Sequence, residues 1–373
     1  MLPAALRACR SRGATLVTVG IVGILGTGIY VHGELLGRSL HYLRGMSLWG
    51  LVALVAVVVA HRLSLASMTA ASVEGLPLGR AALCSESSSG CSNAMVGGSA
   101  VGVGLKVAML RSWAVPGPEV GASVLGAAIA PAIAMWLLAF VETAPMWMGG
   151  QHGIERAVAP VAAAAVLVQV AFWWVVLTSA GPSHRLGTAL ERLRDRLTSR
   201  RRPLPAGMVA RLGAYEPCHH LERIRQAGRG ITRQRGARLF GAALASQLLL
   251  GVLLFVALRA ISPGGGDATL FEVLRAFAAV RVATSFVPLP GSIGVLDVGL
   301  VTALSAAGAE RPAAVAAVLV YRAATFFLPM LTGLAAALWW RRDRQRLAER
   351  ETTASAEVIA GAGDPTVAIP LAA

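Results

Sequence analysis

Residues 313–340 read AAVAAVLVYRAATFFLPMLTGLAAALWW, a run of 28 residues with one charge, Arg322, and one proline, Pro329. An α-helix rises 1.5 Å per residue, so about 20 apolar residues cross the roughly 30 Å of hydrocarbon in a bilayer. The run is therefore longer than one crossing requires and too short for two comfortable ones. It predicts a single long membrane helix, kinked because a proline lies within it.

The rest of the chain is similarly apolar. Of 373 residues, 55% are hydrophobic and only 14% are charged, whereas soluble domains have roughly 25% charged residues. This composition excludes an ordinary soluble enzyme, a disordered chain and a secreted disulfide scaffold. The sequence predicts an all-α integral membrane protein with about six transmembrane helices. Besides 313–340, the predicted spans are residues 14–31, 47–65, 120–141, 157–180 and 239–258.

The net charge of +15 indicates orientation rather than nucleic-acid binding. Residues 182–238 hold 14 Arg against four acidic residues, and more Arg follow in the tail, 341–373. Basic residues near span ends favour the cytoplasmic side. We expect a multi-pass protein of the cytoplasmic membrane, with its N-terminus, the basic loop 182–238 and the tail in the cytoplasm. The loop then separates a first membrane half, 1–181, from a second, 239–340.

Two further segments, 81–105 and 282–297, combine low charge with many Gly, Pro and Ser residues. They predict poor continuous helices but are too apolar for ordinary loops. Broken backbone at membrane depth requires protein or a water-filled cavity to satisfy its polar groups. We interpret both as re-entrant helix–break–helix segments; an interfacial loop or a tightly packed glycine-rich span is the alternative for each. Their opposite directions of entry are compatible with an inverted repeat, as in many transporters.

The charges inside the apolar part are the candidate site, because a charge at the bilayer centre costs about 2.5–3.5 kcal/mol or more. Arg322 and Asp297 are expected to face each other, either as a lipid phosphate site or as a structural ion pair. Glu86 is a candidate acceptor of a cationic headgroup or a proton. Lys106 would contact phosphate or anchor the interface. We expect half-helix N-termini at Gly102 and Gly294, whose backbone N–H groups could bind an anion. The remaining candidates are backbone positions at the two breaks: Gly98, Gly102, Pro290, Gly291 and Gly294.

The segment PLPGSIGVLD at 288–297, followed by Gly308 and by Leu319 to Arg322, resembles the membrane region of lysylphosphatidylglycerol synthases, which flippase-like membrane proteins share. The family pattern is approximately P-x-P-G-G-x-G-x-x-E, then Gly, then L-x-x-R. Here Ser292 replaces the second Gly of the pair, and Asp297 replaces Glu. The first-half motif of the family is much weaker, with Lys106 in the place of its basic residue.

The resemblance implies binding or movement of a lipid. The synthases carry a separate soluble transferase domain, and the 33 residues after Trp340 are too few for one. We therefore expect a protein that flips an anionic phospholipid or lipid-linked headgroup, with membrane lipids and an envelope-biosynthesis protein as partners. The alternative is a non-transporting subunit that scaffolds or regulates a cell-envelope lipid enzyme; a membrane-embedded transferase using Glu86 or Asp297 is less favoured. Without a hydrolase, HExxH or Walker motif, no enzyme activity, metal or cofactor is expected.

Overall fold

The regular structure of the described chain is helical. A computed structural model describes residues 45–94, 98–148, 155–178, 217–262, 268–285 and 294–362, together with 188 and 192. The six ranges contain ten α-helices, one π-turn and no strand, which confirms the predicted all-α membrane fold. The elements are α1 (Leu48–Ala71), α2 (Leu78–Ala94), α3 (Gly98–Ser112), α4 (Gly117–Met148), α5 (Glu155–Thr178), α6 (Pro217–Ile261), α7 (Leu270–Thr284), α8 (Val295–Ala306), α9 (Arg311–Arg322), the π-turn (Ala323–Phe327) and α10 (Leu328–Ala362).

Four helical stretches in these ranges are long and apolar enough to cross a membrane. They are α1, Gly117–Pro145 in α4, Glu222–Ile261 in α6, and Arg311–Gln345, which covers α9, the π-turn and part of α10. They contain the predicted spans 47–65, 120–141, 239–258 and 313–340. Helix α5 has 24 residues and covers most of the predicted span 157–180. The predicted span 14–31 lies outside the described residues.

The prediction of a loop over 182–238 is wrong at its C-terminal end, because α6 already begins at Pro217. Charge density indicates the side of the membrane but not the backbone conformation, and Arg is a good helix former. Within this part of α6 the Nε of Arg225 donates to Glu222, three residues earlier, at 2.8 Å. Helix α10 likewise continues through the predicted tail as far as Ala362.

Two pairs of short helices occupy the regions of the predicted re-entrant segments. The first hairpin consists of α2 and α3, with 17 and 15 residues. The second consists of α7 and α8, with 15 and 12 residues. At 1.5 Å per residue these helices are about 18–26 Å long, shorter than the roughly 30 Å hydrocarbon core. Both hairpins extend beyond the predicted limits, 81–105 and 282–297, at either end.

The glycines of the first hairpin permit close helix packing. The expectation that Gly102 begins a half-helix is wrong, because α3 begins at Gly98. A Cβ at Gly98 would lie 2.5 Å from the carbonyl oxygen of Cys91, and one at Gly102 would lie 2.5 Å from that of Ser88. The helices α2 and α3 therefore approach each other where no larger side chain fits. Tertiary packing here overrides the low helix propensity of Gly and Ser.

The predicted membrane helix over 313–340 is interrupted by the π-turn. Pro329 has no N–H, so it cannot donate to the carbonyl oxygen of Thr325 four residues earlier. The side-chain amide of Asn93 donates to that oxygen at 3.3 Å. The Nη2 of Arg62 donates to the neighbouring carbonyl of Ala324 at 2.9 Å. Side chains of α1 and α2 thus satisfy backbone acceptors that the irregular turn frees, as membrane burial requires.

Helices α2 and α10 cross at a contact between two glycines. A Cβ added at Gly90 would lie 2.5 Å from the carbonyl oxygen of Pro329 and 2.8 Å from the Cα of Gly333. A Cβ at Gly333 would lie 2.8 Å from the Cα of Gly90. The neighbouring atoms are backbone, so they cannot turn aside as a flexible side chain would. Any larger residue at either position has to push the two helices apart.

We expect Gly333→Ala to destabilise the protein by about 1–3 kcal/mol, the usual cost of overpacking. The measurement is the thermal unfolding midpoint of purified protein in detergent. Gly104→Ala is the matched control: Gly104 lies in α3 with nothing within 4 Å of an added Cβ, and Ala has the higher helix propensity. Equal melting temperatures for the two variants would show that the α2–α10 contact accommodates an added methyl group.

Candidate functional site

A polar cavity of about 390 Å³ lies between the two halves of the membrane region. Helices α1, α2, α4, α6, α7, α8, α9 and α10 and the π-turn all contribute to its wall. We call it the central cavity. Its lining includes three arginines and several uncharged polar groups, among them His61, Arg62, Asn93, Gln247, Arg281 and Arg322. Such a lining is unusual among helices that are otherwise apolar, since buried polar groups in a membrane are costly.

Arg322 and Asp297 are brought together at the second hairpin. The Nε of Arg322 donates to Asp297 Oδ1, and the two side chains are 12% and 30% exposed. The other carboxylate oxygen, Oδ2, accepts from the backbone N–H of Gly294 at 2.9 Å. Gly294 is the N-cap of α8 and has a φ of 84°, a value that glycine adopts readily. The half-helix N-terminus expected at Gly294 is present, and Asp297 occupies it with its own carboxylate.

A second acid–arginine pair lies at the first hairpin. The Oε1 of Glu86 on α2 lies 3.7 Å from the Nη1 of Arg62 on α1. Its other oxygen accepts from the hydroxyl of Thr332 on α10 at 2.6 Å. The carboxylate is 17% exposed, so both contacts are largely shielded from solvent. Glu86 therefore ties α1, α2 and α10 together beside the central cavity.

The arginines of the cavity outnumber the carboxylates that pair with them. Arg62 is paired with Glu86 and Arg322 with Asp297, whereas Arg281 forms no ion pair with a carboxylate in the described ranges. The guanidinium carbon of Arg281 lies 5.9 Å from the ring centroid of Phe277, within the range of a cation–π contact. Its buried Nε has no hydrogen-bond partner. The cavity thus carries one positive charge more than its paired carboxylates neutralise.

His61 adds a further polar group next to Arg62. Its Nδ1 lies 3.2 Å from the carbonyl oxygen of Ser246 on α6, and because a carbonyl can only accept, Nδ1 carries the hydrogen. The side chain is 7% exposed. This hydrogen bond fixes the orientation of the ring across the α1–α6 boundary.

The other sequence candidates lie elsewhere. Gly98 and Gly102 pack α3 against α2 and do not line the central cavity. Lys106 is 6% exposed on α3 and is also absent from the cavity wall. Pro290 and Gly291 lie outside the described residues. Within the ranges that are described, no three His, Cys, Asp or Glu side chains are close enough together to hold a metal ion.

Sequence reasoning missed Arg62 and Gln247. Arg281 flanks the second predicted break, and the sequence alone is compatible with either a headgroup phosphate contact or an interfacial anchor there. Arg62 had a usable signal, because it lies inside the predicted span 47–65 just as Arg322 lies inside 313–340. The rule that singled out Arg322 would have selected it as well. Gln247 had a weaker signal, a single amide within the span 239–258. For Arg281, only the fold shows that α7 turns this side chain towards α6 and α9.

Comparison with known sequences identifies the family of this chain. The family described as the lysylphosphatidylglycerol synthase TM region matches residues 14–333. No curated protein matches the chain. The matched range includes both hairpins, both acid–arginine pairs and the whole wall of the central cavity. The chain, with its two short-helix hairpins around a charged membrane cavity, therefore belongs to the family of the lysylphosphatidylglycerol synthase transmembrane region.

Proposed function

We propose that the protein binds the anionic headgroup of a phospholipid or lipid-linked molecule in the central cavity and moves it across the cytoplasmic membrane. The observation that carries the proposal is a polar cavity with three arginines between apolar helices. Its volume of about 390 Å³ falls within the roughly 300–1,000 Å³ of small-molecule sites. We propose no catalytic step for this site.

Electrostatics favours an anion over a neutral or cationic headgroup. Moving a charge from water into a membrane interior is costly, and the cost falls when an opposite charge enters with it. Three guanidinium groups against two carboxylates leave one positive charge for the ligand to neutralise. Guanidinium groups bind phosphate oxygens through two parallel hydrogen bonds, which also orients the headgroup.

Exchange of ion-pair partners provides a route to movement. A phosphate that enters the cavity competes with Asp297 for Arg322 and with Glu86 for Arg62. Each of these carboxylates belongs to a short hairpin, and each arginine belongs to a stretch long and apolar enough to cross a membrane, α1 for Arg62 and Arg311–Gln345 for Arg322. Release of either pair would free a hairpin to shift against the rest, the kind of rearrangement by which broken helices support alternating access.

Orientation follows from the distribution of arginines. We propose that the N-terminus, the basic region 182–238 and the tail lie in the cytoplasm, since short basic segments stay on that side. An envelope-biosynthesis protein would supply or receive the lipid there.

We expect Arg322→Ala to slow lipid translocation in reconstituted vesicles by about tenfold or more, the equivalent of losing a charge-assisted hydrogen bond of about 1.5–3 kcal/mol. The measurement is dithionite quenching of a headgroup-labelled anionic phospholipid over time. Arg341→Ala is the control, because Arg341 is exposed on α10 and does not line the cavity. An unchanged rate in Arg322→Ala would exclude the central cavity as the route. A wild-type protein that moves no lipid would instead favour the scaffolding alternative.

A double variant separates stability from transport. Arg322→Ala alone leaves Asp297 as an unpaired carboxylate, and breaking a buried pair costs about 3–5 kcal/mol. We expect Arg322→Ala with Asp297→Asn to recover much of the lost melting temperature, because both charges are gone and the amide oxygen of Asn can still accept from the N–H of Gly294. Translocation should remain slow, since the guanidinium group that binds the lipid phosphate is still missing. Recovery of translocation in the double variant would show that the pair is purely structural.

A further inference from the structure

We propose that a groove between α1 and α6 binds an anionic phospholipid at the edge of the bilayer, with Arg238 and Arg235 on its phosphate and small residues beside one acyl chain. We call it the boundary groove. Its volume is about 650 Å³, and it shares no lining residue with the central cavity. The inference goes beyond the proposed function and does not depend on transport.

The boundary groove lies at the depth where the two helices that form it pass from water to hydrocarbon. Helix α1 ends at Ala71, which lines the groove. Helix α6 has six arginines between 222 and 238 and no charged residue from 239 to 258. Arg238, the last of these arginines, also lines the groove. Phospholipid phosphates lie just outside the hydrocarbon, so the arginines of the groove are at the depth of the phosphates.

The lining along α6 changes from charged to small and apolar. Its lining residues are Arg235, Arg238, Gly241 and Ala242, whose spacing of three or four residues places them on one face of the helix. At 1.5 Å per residue, this face extends about 10 Å along the helix axis. Both charges lie at the end that precedes the apolar stretch. This order matches a phospholipid, in which an acyl chain follows the phosphate.

The groove is continuous with the apolar outer surface of α1. Val55, Val59 and Leu63 are 52%, 50% and 49% exposed, and residues four apart lie on the same face of a helix. The next position on this face, Ser67, is exposed and lines the groove. An acyl chain can therefore enter from the surrounding bilayer without separating α1 from α6.

The charges of the groove select an anionic lipid. The Nη2 of Arg235 lies 3.1 Å from the Oε1 of Glu74, whose side chain is 73% exposed. Arg238 is exposed and forms no ion pair with the described residues. One positive charge is left for a phosphodiester monoanion. A zwitterionic lipid brings a cation with its phosphate, so it leaves this charge in excess.

The first experiment compares two short-chain lipids by titration calorimetry on the full-length protein in detergent. Dioctanoyl phosphatidylethanol carries one negative charge, and dioctanoyl phosphatidylcholine has none overall. We expect the wild type to bind the anionic lipid about fivefold more tightly or better, because each basic residue near the surface contributes about 1 kcal/mol. Arg238→Ala should remove most of this preference, and Arg238→Lys should keep it. Equal affinities in the wild type, or an unchanged preference in Arg238→Ala, would overturn the site.

Glu74→Gln tests the same site in the opposite direction. The exposed ion pair with Arg235 is weak, and its removal frees a second guanidinium for the phosphate. We expect dioctanoyl phosphatidylethanol to bind about two- to fivefold more tightly to this variant. A purely structural pair would instead change only the melting temperature. Unchanged or weaker lipid binding in folded Glu74→Gln protein would overturn the role of Arg235.

Gly241→Leu tests the place of the acyl chain. Nothing lies within 4 Å of a Cβ added at Gly241, so a leucine side chain fits there and occupies the groove. We expect about tenfold weaker binding of dioctanoyl phosphatidylethanol and no loss of melting temperature, because Leu has the higher helix propensity. Gly104→Leu is the matched control, with the same open space outside the groove. Wild-type affinity in Gly241→Leu would overturn the proposed chain position.

Two comparisons separate this site from a free phosphate and from the central cavity. Diethyl phosphate has the charge but no acyl chain, and binding as tight as that of the lipid would overturn the lipid as ligand. Lipid binding that is lost in Arg322→Ala but kept in Arg238→Ala and Gly241→Leu would place the lipid in the central cavity and overturn the boundary groove. Because binding is measured without transport, a protein that flips no lipid but loses lipid binding in Arg238→Ala would support the groove and overturn only the proposed function.

Discussion

The carboxylate of Asp297 holds the second hairpin in place through two bonds. One oxygen accepts from the backbone N–H of Gly294 at the start of α8, and the other accepts from Arg322 at the end of α9. A helix N-terminus has unsatisfied N–H groups and a partial positive charge, so a carboxylate stabilises it. The same carboxylate neutralises Arg322, the one charge within the apolar run 313–340. One side chain thus satisfies a broken backbone and a buried charge together.

At the π-turn, too, side chains satisfy polar groups of the backbone. The turn allows α9 and α10 to continue as one element past Pro329, but it leaves carbonyl oxygens without helical donors. Arg62 and Asn93 supply those donors from the first half of the chain. Side chains of the first half therefore satisfy backbone carbonyl oxygens of the second half. The two halves are joined by polar bonds at the cavity as well as by apolar packing, whose largest buried cluster includes α1, α6, α7, α8 and α9.

The sequence predicts the helical membrane fold and most of its spans because hydrocarbon thickness sets a length that apolar runs reveal directly. Arg322 and Asp297 are likewise visible, each as an isolated charge in or beside an apolar stretch. The glycines of 97–104 are misleading: low helix propensity predicts a break, whereas Gly98 and Gly102 sit inside α3 because α2 packs against them. The partners of Arg62 and the isolation of Arg281 depend on helices that are distant in sequence, so composition and spacing do not reveal them.

Helix α2 has a consequence for how the protein enters the membrane. From 81 to 93 it has no exposed side chain, although Ser, Glu and Asn make up much of its surface. Its shielding comes from its neighbours, α3 and α10, whose glycines lie against it. A segment this polar does not partition into lipid by its own hydropathy. Since Glu86 and its partner Thr332 are 246 residues apart, α2 is synthesised long before the helix that covers it. The polar surface of α2 is thus covered by α10 only after the second half of the chain has been synthesised.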